Sequence, residues 1–412
     1  MTNPEFPTTR KEALAQWQAF LPSVADYAKR RNMMTIDNRG VSRLSPAFRL
    51  RLLSRDEIAR ETLEAYPYKL AEKWLQEVYW RTYWKGWLEQ RPQVWTHWRH
   101  RVGELSACLP RDVLDRAESV AQGESGVAIM DYFARTLRAT GYLHNHARMW
   151  WASFWIHVER LPWELGANFF FSHLLDADPA SNTLSWRWVA GLQTKGKAYL
   201  VRRSNLERCC NAKLLSNHLQ GIERIDDNGV QVHVSDDCVD STRHELSELP
   251  QSVGILKGRV GLWIHPDDAC PEISPLSEAS IVAATAISSR TDYHHYNTSE
   301  LGQCYLKTVL SNACRRSKRH FKCPTTLKET SSPAKELATW AHENRLDNIV
   351  ALAPDIGPVD DTVSDIRRSL ENQGVSLQFV RRPEDTIDYG RSRAGFFGFW
   401  KHVSKRVQAL AT

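Results

Sequence analysis

Between residues 140 and 188 the chain runs TGYLHNHARMWWASFWIHVERLPWELGANFFFSHLLDADPASNTLSWRW. At helical spacing its early part puts Asn145, Arg148, Met149 and Ala152 on one face, at i, i+3, i+4 and i+7. That face mixes an amide, a guanidinium and a thioether, unlike an ordinary core stripe. Gly166 is expected to interrupt the next run. Leu174-Leu175 lead into Asp176-Ala-Asp178-Pro, a pattern that ends a helix and turns the chain. Asn182, Trp186 and Trp188 are expected on the polar loop that follows. A cation, two carboxylates, an amide and several indoles thus lie within about fifty residues, a set suited to a flat, polar, redox-active ligand.

The rest of the pattern divides the chain. Apolar positions at Trp17, Phe20, Val24 and Tyr27 predict a helix over 11–31. Gly40 permits a turn, and Ser45-Pro46 opens a helix with a cap and a first-turn proline. A helix over 74–84 carries Trp74, Glu77, Arg81 and Trp84 at i, i+3, i+7 and i+10, with Trp80 at the flank. Read without context, it is a core helix with a Glu77–Arg81 pair. Another helix is expected over 110–122. Residues 207–258 read as a junction with a helix, a possible hairpin at 226–234 and a polar run. From 259 the pattern alternates, with strands at 260–264, 281–286, 348–352 and 375–379 and helices at 299–315, 333–344 and 360–371. Such alternation predicts a parallel sheet. No GxGxxG is present. The expected fold is a helical domain over 1–206, then an α/β, Rossmann-like parallel-sheet domain over 259–412.

Composition adds limits. With 412 residues, two domains fit better than one. A formal net charge of +6 permits a polyanionic partner without requiring one. Eight cysteines without a CxxC pair read as reduced thiols of a cytoplasmic protein. The N-terminus has no signal pattern. The most apolar run, 149–158, is half a bilayer span, so no membrane association is expected. No metal site is expected: an EF-hand loop starting at Asp176 would need Gly and Glu where Ser181 and Arg187 stand. A capping role for Asp176 and Asp178 is the plainer alternative.

The central stretch resembles the flavin-binding domain of the DNA photolyase and cryptochrome family. The matching pieces, in order, are Thr140-Gly141-Tyr142, His144-Asn145, Arg148-Met149, Trp163, Asp176-x-Asp178-x-Ala180-x-Asn182 and Trp186-x-Trp188. Val41-Ser42-Arg43-Leu44-Ser45 resembles the family's pyrophosphate-binding T-S-R-L-S, with valine for the first hydroxyl residue. Trp74 to Trp84 resembles its W-L-x-E-L-x-W-R-x-F-Y helix.

The resemblance implies FAD as cofactor, held by Tyr27, Ser42, Arg43, Leu44, Ser45, Trp74, Arg81, Asn145, Arg148, Asp176, Asp178 and Asn182. It implies UV-damaged DNA as partner, with Glu77, Trp80, Asn145, Met149 and Trp188 facing the lesion. Asn145 and Met149 stand where members repairing (6-4) lesions carry histidines, which favours cyclobutane dimers. His146 replaces a usual arginine. Trp186 and Trp163 match inner members of an electron-transfer chain, whose surface member is Trp98 or Trp95. Six cations against one acid between Lys195 and Lys213 form a loop in which Lys195, Lys197, Arg202 and Arg203 either grip DNA phosphates or face water. The basic run 315–322 is expected to face solvent, with DNA contact as the lesser alternative.

Residues 261–265 and 394–401 resemble the first strand and the closing motif of the family's antenna domain. That domain ordinarily comes first, so the resemblance implies a circular permutation and a possible second, antenna chromophore. The implied activity is light-driven repair of cyclobutane pyrimidine dimers. The alternative is a cryptochrome-like photoreceptor with a protein partner.

Overall fold

The computed structural model describes residues 6–194, 197–226, 229–235, 239, 241–252, 254, 256–289 and 298–411. The chain is rich in helix and carries one five-stranded sheet. It forms two compact units, neither a single continuous segment. The first takes in the chain through Ala19, Leu44–Arg91 and everything from Arg243 onward; the second is Phe20–Arg43 with Pro92–Thr242. The stretch 1–206 is therefore shared between the two.

In the first unit the strands are β1 Val260–Ile264, β2 Ala283–Ser289, β3 Thr325–Thr330, β4 Asn348–Leu352 and β5 Ser376–Val380. All pair in parallel, in the order β3-β2-β1-β4-β5. Helices Glu300–Phe321, Pro333–Glu343 and Asp360–Glu371 form the later crossovers. Trp263, Ile349 and Phe379 from the sheet pack with Leu337, Trp340, Ile366 and Leu370 from two of those helices. β1 is buried along its whole length, hence its unbroken apolar run. The sequence pattern missed β3 because it is a half-exposed edge strand, Thr-Thr-Leu-Lys-Glu-Thr, without apolar alternation. Residues 231–234, a proposed hairpin arm, pair with no strand among the described residues.

Elsewhere the helices depart from expectation at identifiable residues. The expected 11–31 helix is Arg10–Phe20, a 3-10 segment Leu21–Asp26 and a short helix Tyr27–Arg30. Pro22, lacking an N–H, stands in the first turn of the tighter segment. The Ser45–Arg49 helix has Leu44 at its N-cap with no side-chain cap, so Ser45 is not the expected cap. The basic run 315–322 extends the expected 299–315 helix to Phe321. Within it Arg316 does not face solvent: it pairs with Glu272 and donates to the carbonyl of Ala269 at 2.5 Å.

The second unit is helical around an indole-rich core. Trp95, Trp98, Trp150, Trp151, Trp155 and Trp163 are each almost wholly buried. Among the described residues no helix is long and apolar enough to cross a membrane.

Candidate cofactor and substrate sites

In the second unit the central stretch forms three helices, Asn145–Ser153, Trp163–His173 and Pro179–Val189. Gly141 ends the preceding helix at φ 69° and accepts a 2.9 Å hydrogen bond from Leu175 N–H. A Cβ at Gly141 would lie 2.6 Å from Leu175 Cγ, so a side chain here would push the two turns apart. His144 then caps the Asn145–Ser153 helix, its Nδ1 accepting from His146 N–H at 3.2 Å. That acceptor role needs a neutral ring. Burial, then His146 and Arg148, depress the His144 pKa to about 4, so it is neutral at pH 7.

Arg148 is pinned between both turns. Its Nε donates to the Leu143 carbonyl at 2.9 Å, and its Nη1 lies 3.1 and 3.2 Å from the two Asp176 oxygens. Its guanidinium sits 5.5 Å from the Tyr142 ring centroid. Arg148 and Asp176 therefore form an ion pair. Burial pushes the Tyr142 hydroxyl up to about 12, so it stays protonated.

Asp178 Oδ1 accepts from Ser181 N–H at 2.7 Å and caps the Pro179–Val189 helix. Asn182, Trp186 and Trp188 consequently lie on that helix, not on the expected loop. Asp178-Pro179, expected as a turn, is instead a helix start. Asn182 Nδ2 donates to the Ala167 carbonyl at 2.9 Å, which fixes its amide. Gly166 does not interrupt its helix. It is glycine because a Cβ there would meet Trp186 at 2.4 Å and Trp155 Nε1 at 2.9 Å.

Around this centre, Asn145 is exposed and its Nδ2 lies 3.6 Å from Met149 Sδ. Trp188 stacks on Tyr199 at 5.5 Å, an aromatic contact the sequence pattern did not signal. Tyr27 is buried edge-on to Phe20 at 6.1 Å. Ser42 and Arg43 lie just before the unit's boundary, with Arg43 at φ 56°. Trp186 is 6.2 Å from Trp151, which is 5.2 Å from Trp155; neither neighbour was singled out from the sequence. Trp163 lies 5.8 Å below the Arg187 guanidinium. Trp98 and Trp95, 4.9 Å apart, are each only 1% exposed, so neither is the expected surface tryptophan. Both sit on the inner face of the Gln93–Cys108 helix, and Trp98 donates to the Glu164 carbonyl. Lys197 and Arg202 are exposed, and Arg203 pairs with Glu207 at 2.8 Å. Lys195 lies outside the described residues.

The first unit holds the remaining candidates. Trp74 is buried, stacked on Trp17 at 5.5 Å, and donates to Thr62 Oγ1. Glu77, Trp80 and Arg81 are half-buried on the Tyr68–Glu89 helix. Trp80 has Phe396 against it at 3.7 Å between ring centroids, with Tyr83 and Trp84 edge-on at 6.2 and 6.1 Å. Leu44 is buried, and Ser45 Oγ is buried without a hydrogen-bond partner among the described residues.

The sequence did not show a buried ion-pair network at the carboxyl ends of the strands. Asp385 takes Arg51 and Arg55 at 2.6 Å each. Arg55 and Arg406 also reach Asp388. Arg382 holds Asp268, Arg49 holds Asp267, and Lys85 holds Asp355. In open parallel sheets ligands bind outside these strand ends, where the order reverses, here between β1 and β4. The cavity lined by Arg51, Asp268, Pro354, Arg382, Asp385 and Tyr389 has only about 10 Å³, room for one water.

Residues 74–229 match the family model described as the FAD binding domain of DNA photolyase. The deoxyribodipyrimidine photo-lyase of Salmonella typhimurium is 31% identical over 204 residues, 47% of this chain and 41% of that protein. The Escherichia coli protein of that name is 30% identical over 204 residues, 47% of this chain and 42% of its own. One from Thermus thermophilus is 34% identical over 197 residues, 45% and 44%. The chain thus spans about two fifths of the length of these relatives. A Synechocystis cryptochrome structure overlaps at a TM-score of 0.45 with 22% identity, covering 53% of this chain and 46% of that one.

Proposed function

Because this chain belongs to the photolyase and cryptochrome family, we propose that it uses FAD and light to repair cyclobutane pyrimidine dimers in DNA. The observation that carries the reading is the Arg148–Asp176 pair set between Tyr142 and the Asp178-capped helix that bears Asn182. Asp176 is buried and Arg148 half-buried, so the pair loses much of its hydration, and apolar residues would serve stability as well. Its donors and acceptors fit a flat ring with an imide edge, and the nearby amide is already fixed by Ala167.

In this reading Arg148, Asp176, Asp178, Asn182 and Asn145 hold the ring system, and Tyr27, Ser42 and Arg43 serve the phosphate end. On the first unit Leu44, Ser45, Trp74 and Arg81 are assigned cofactor contacts by the resemblance. FAD held by these residues would supply the light-driven electron that opens the dimer's two linking bonds. Glu77 hydrogen-bonds base edges, while Trp80, Met149 and Trp188 offer apolar faces to the flipped bases. Lys197, Arg202 and Arg203 contact phosphates, with Lys195 alongside. Trp186, Trp163 and Trp98 are the proposed relay, and Trp98 must pass charge through a buried neighbour such as Trp95. We read residues 259–412 as the antenna-like domain in permuted order, in a protein that works in the cytoplasm.

The photoreceptor reading is favoured by one feature: Phe396 and Tyr199 each already occupy a face of an expected lesion-binding ring. One assay separates the two. Reduced protein illuminated with a dimer-containing oligonucleotide should restore intact pyrimidines, and no loss should occur in the dark. Undiminished dimer from flavin-loaded protein refutes repair and leaves the receptor.

A further inference from the structure

The helix Phe396–Gln408 has two unlike faces. Its inner face carries Phe396, Phe399, Trp400, Val403 and Val407, all buried. Phe396 lies on Trp80 at 3.7 Å and stacks with Trp400 at 6.2 Å, while Phe399 meets Tyr83 at 5.6 Å. Docking of the helix is complete without Phe397, which points outward and is 71% exposed. Phe397, Lys401 and Lys405 recur at i, i+4 and i+8, a single outer stripe. All three are exposed, as are Arg391 and Arg393 in the approach to the helix. No acidic residue occurs from Arg391 to Gln408. Lys401 and Lys405 have no ion-pair partner among the described residues.

A solitary exposed ring needs no explanation, but an exposed ring flanked by unpaired cations matches how sequence-tolerant single-strand binders are built. They use aromatic faces for bases and positive charge for the backbone. We propose that this stripe is a binding surface for single-stranded nucleic acid, with Phe397 stacking on a base while Lys401, Lys405, Arg391 and Arg393 contact phosphates. Phe397 stands edge-on to Phe396 at 5.8 Å, and Phe396 in turn covers Trp80. The surface therefore lies two rings from the residue assigned to the flipped bases, where a strand opened at a lesion would pass. The choice of DNA over other polyanions rests on the repair reading; the stripe itself does not.

The test uses the full chain and an undamaged, fluorescein-labelled oligothymidylate of about 16 nucleotides, followed by anisotropy. Phe397→Ala should weaken binding at least about fivefold, Phe397→Trp should retain it, and Phe397→Leu should fail to rescue it. Lys401→Gln with Lys405→Gln should reduce the salt slope of log K by about 1.4 between about 50 and 200 mM salt. The substituted side chains are all exposed, so unchanged thermal midpoints are expected. Parental binding by Phe397→Leu, or an unchanged salt slope, overturns the proposal, as does Phe397-dependent sedimentation with anionic phosphatidylserine vesicles but no effect on the oligomer. The dimer-repair assay on the same preparation keeps the two readings apart. An inactive chain whose oligomer binding depends on Phe397 refutes repair alone, and an active chain indifferent to Phe397→Ala refutes this surface alone.

Discussion

Asp385→Asn removes the charge at the centre of the ion-pair network while keeping the side chain's shape. Asp385 is 4% exposed and holds Arg51 and Arg55 at 2.6 Å each. At an effective dielectric of about 20, each contact is worth roughly 4 kcal/mol before desolvation. Removing one partner of a buried pair typically costs about 3–5 kcal/mol, because the other charge stays buried. Here Arg55 keeps Asp388 at 3.1 Å and Arg51 keeps Asp268 at 3.5 Å, so the lower end, about 3 kcal/mol, is expected. For a unit of this size that is a fall of about 6–12 °C in Tm, read by calorimetry or circular dichroism. Asp365→Asn, which removes a largely exposed partner of Arg368, should shift Tm by less than about 2 °C. The pH dependence gives a second check. Burial alone would raise the Asp385 pKa, but Arg51 and Arg55 override it and hold the carboxyl well below the usual carboxylate range. A lowered folded-state pKa gives stability that is present above the unfolded pKa and lost as pH falls. The gap between parent and variant should therefore narrow on acidification below about pH 4. A Tm within about 2 °C of the parent, or a gap independent of pH, would refute the network's role.

Other consequences are as concrete. His144 is held neutral by burial, with a pKa near 4, so acidification from about pH 6.5 towards 4 should cost up to roughly 3 kcal/mol. His144→Asn retains a cap acceptor and should flatten that part of a pH–stability curve measured by urea unfolding. Gly166→Ala forces a Cβ to 2.4 Å from Trp186 and should destabilise by about 1–3 kcal/mol while altering near-UV circular dichroism. An unchanged spectrum and urea midpoint would show that the indole has room to move. Glu77→Gln and Trp80→Ala should weaken binding of a dimer-containing duplex by about tenfold or more in anisotropy without changing flavin content. Loss of flavin from either would place that helix at the cofactor instead.

Local signals carried much of this structure. Four of the five strands could be read from their apolar residues, β1 along its whole length, whereas β3, Thr-Thr-Leu-Lys-Glu-Thr at the sheet edge, has no period to detect. Arg148 and Asp176 stood out as cofactor candidates because they lie in a short stretch whose motifs resemble those of a known family. Two local readings failed: Asp178-Pro179 was read as a turn although its cap to Ser181 N–H is local, and Gly166 was read as a break because the reason for it lies elsewhere in the second unit. The glycine is dictated by Trp186, twenty residues on. The ion-pair network was invisible for a related reason. Arg55 and Asp385 are 330 residues apart, and nothing local distinguishes them from solvated charges. Likewise, no periodicity says that Phe396 will lie against Trp80, since each helix alone is satisfied by any apolar neighbour.

The most direct measurement is the flavin content of the purified protein. Heat-released FAD should approach one per chain, and Arg148→Ala or Asp178→Ala should lower it severalfold while the far-UV spectrum stays helical. A colourless parent protein, or full FAD retention in both variants, would contradict the central claim that these residues hold the cofactor.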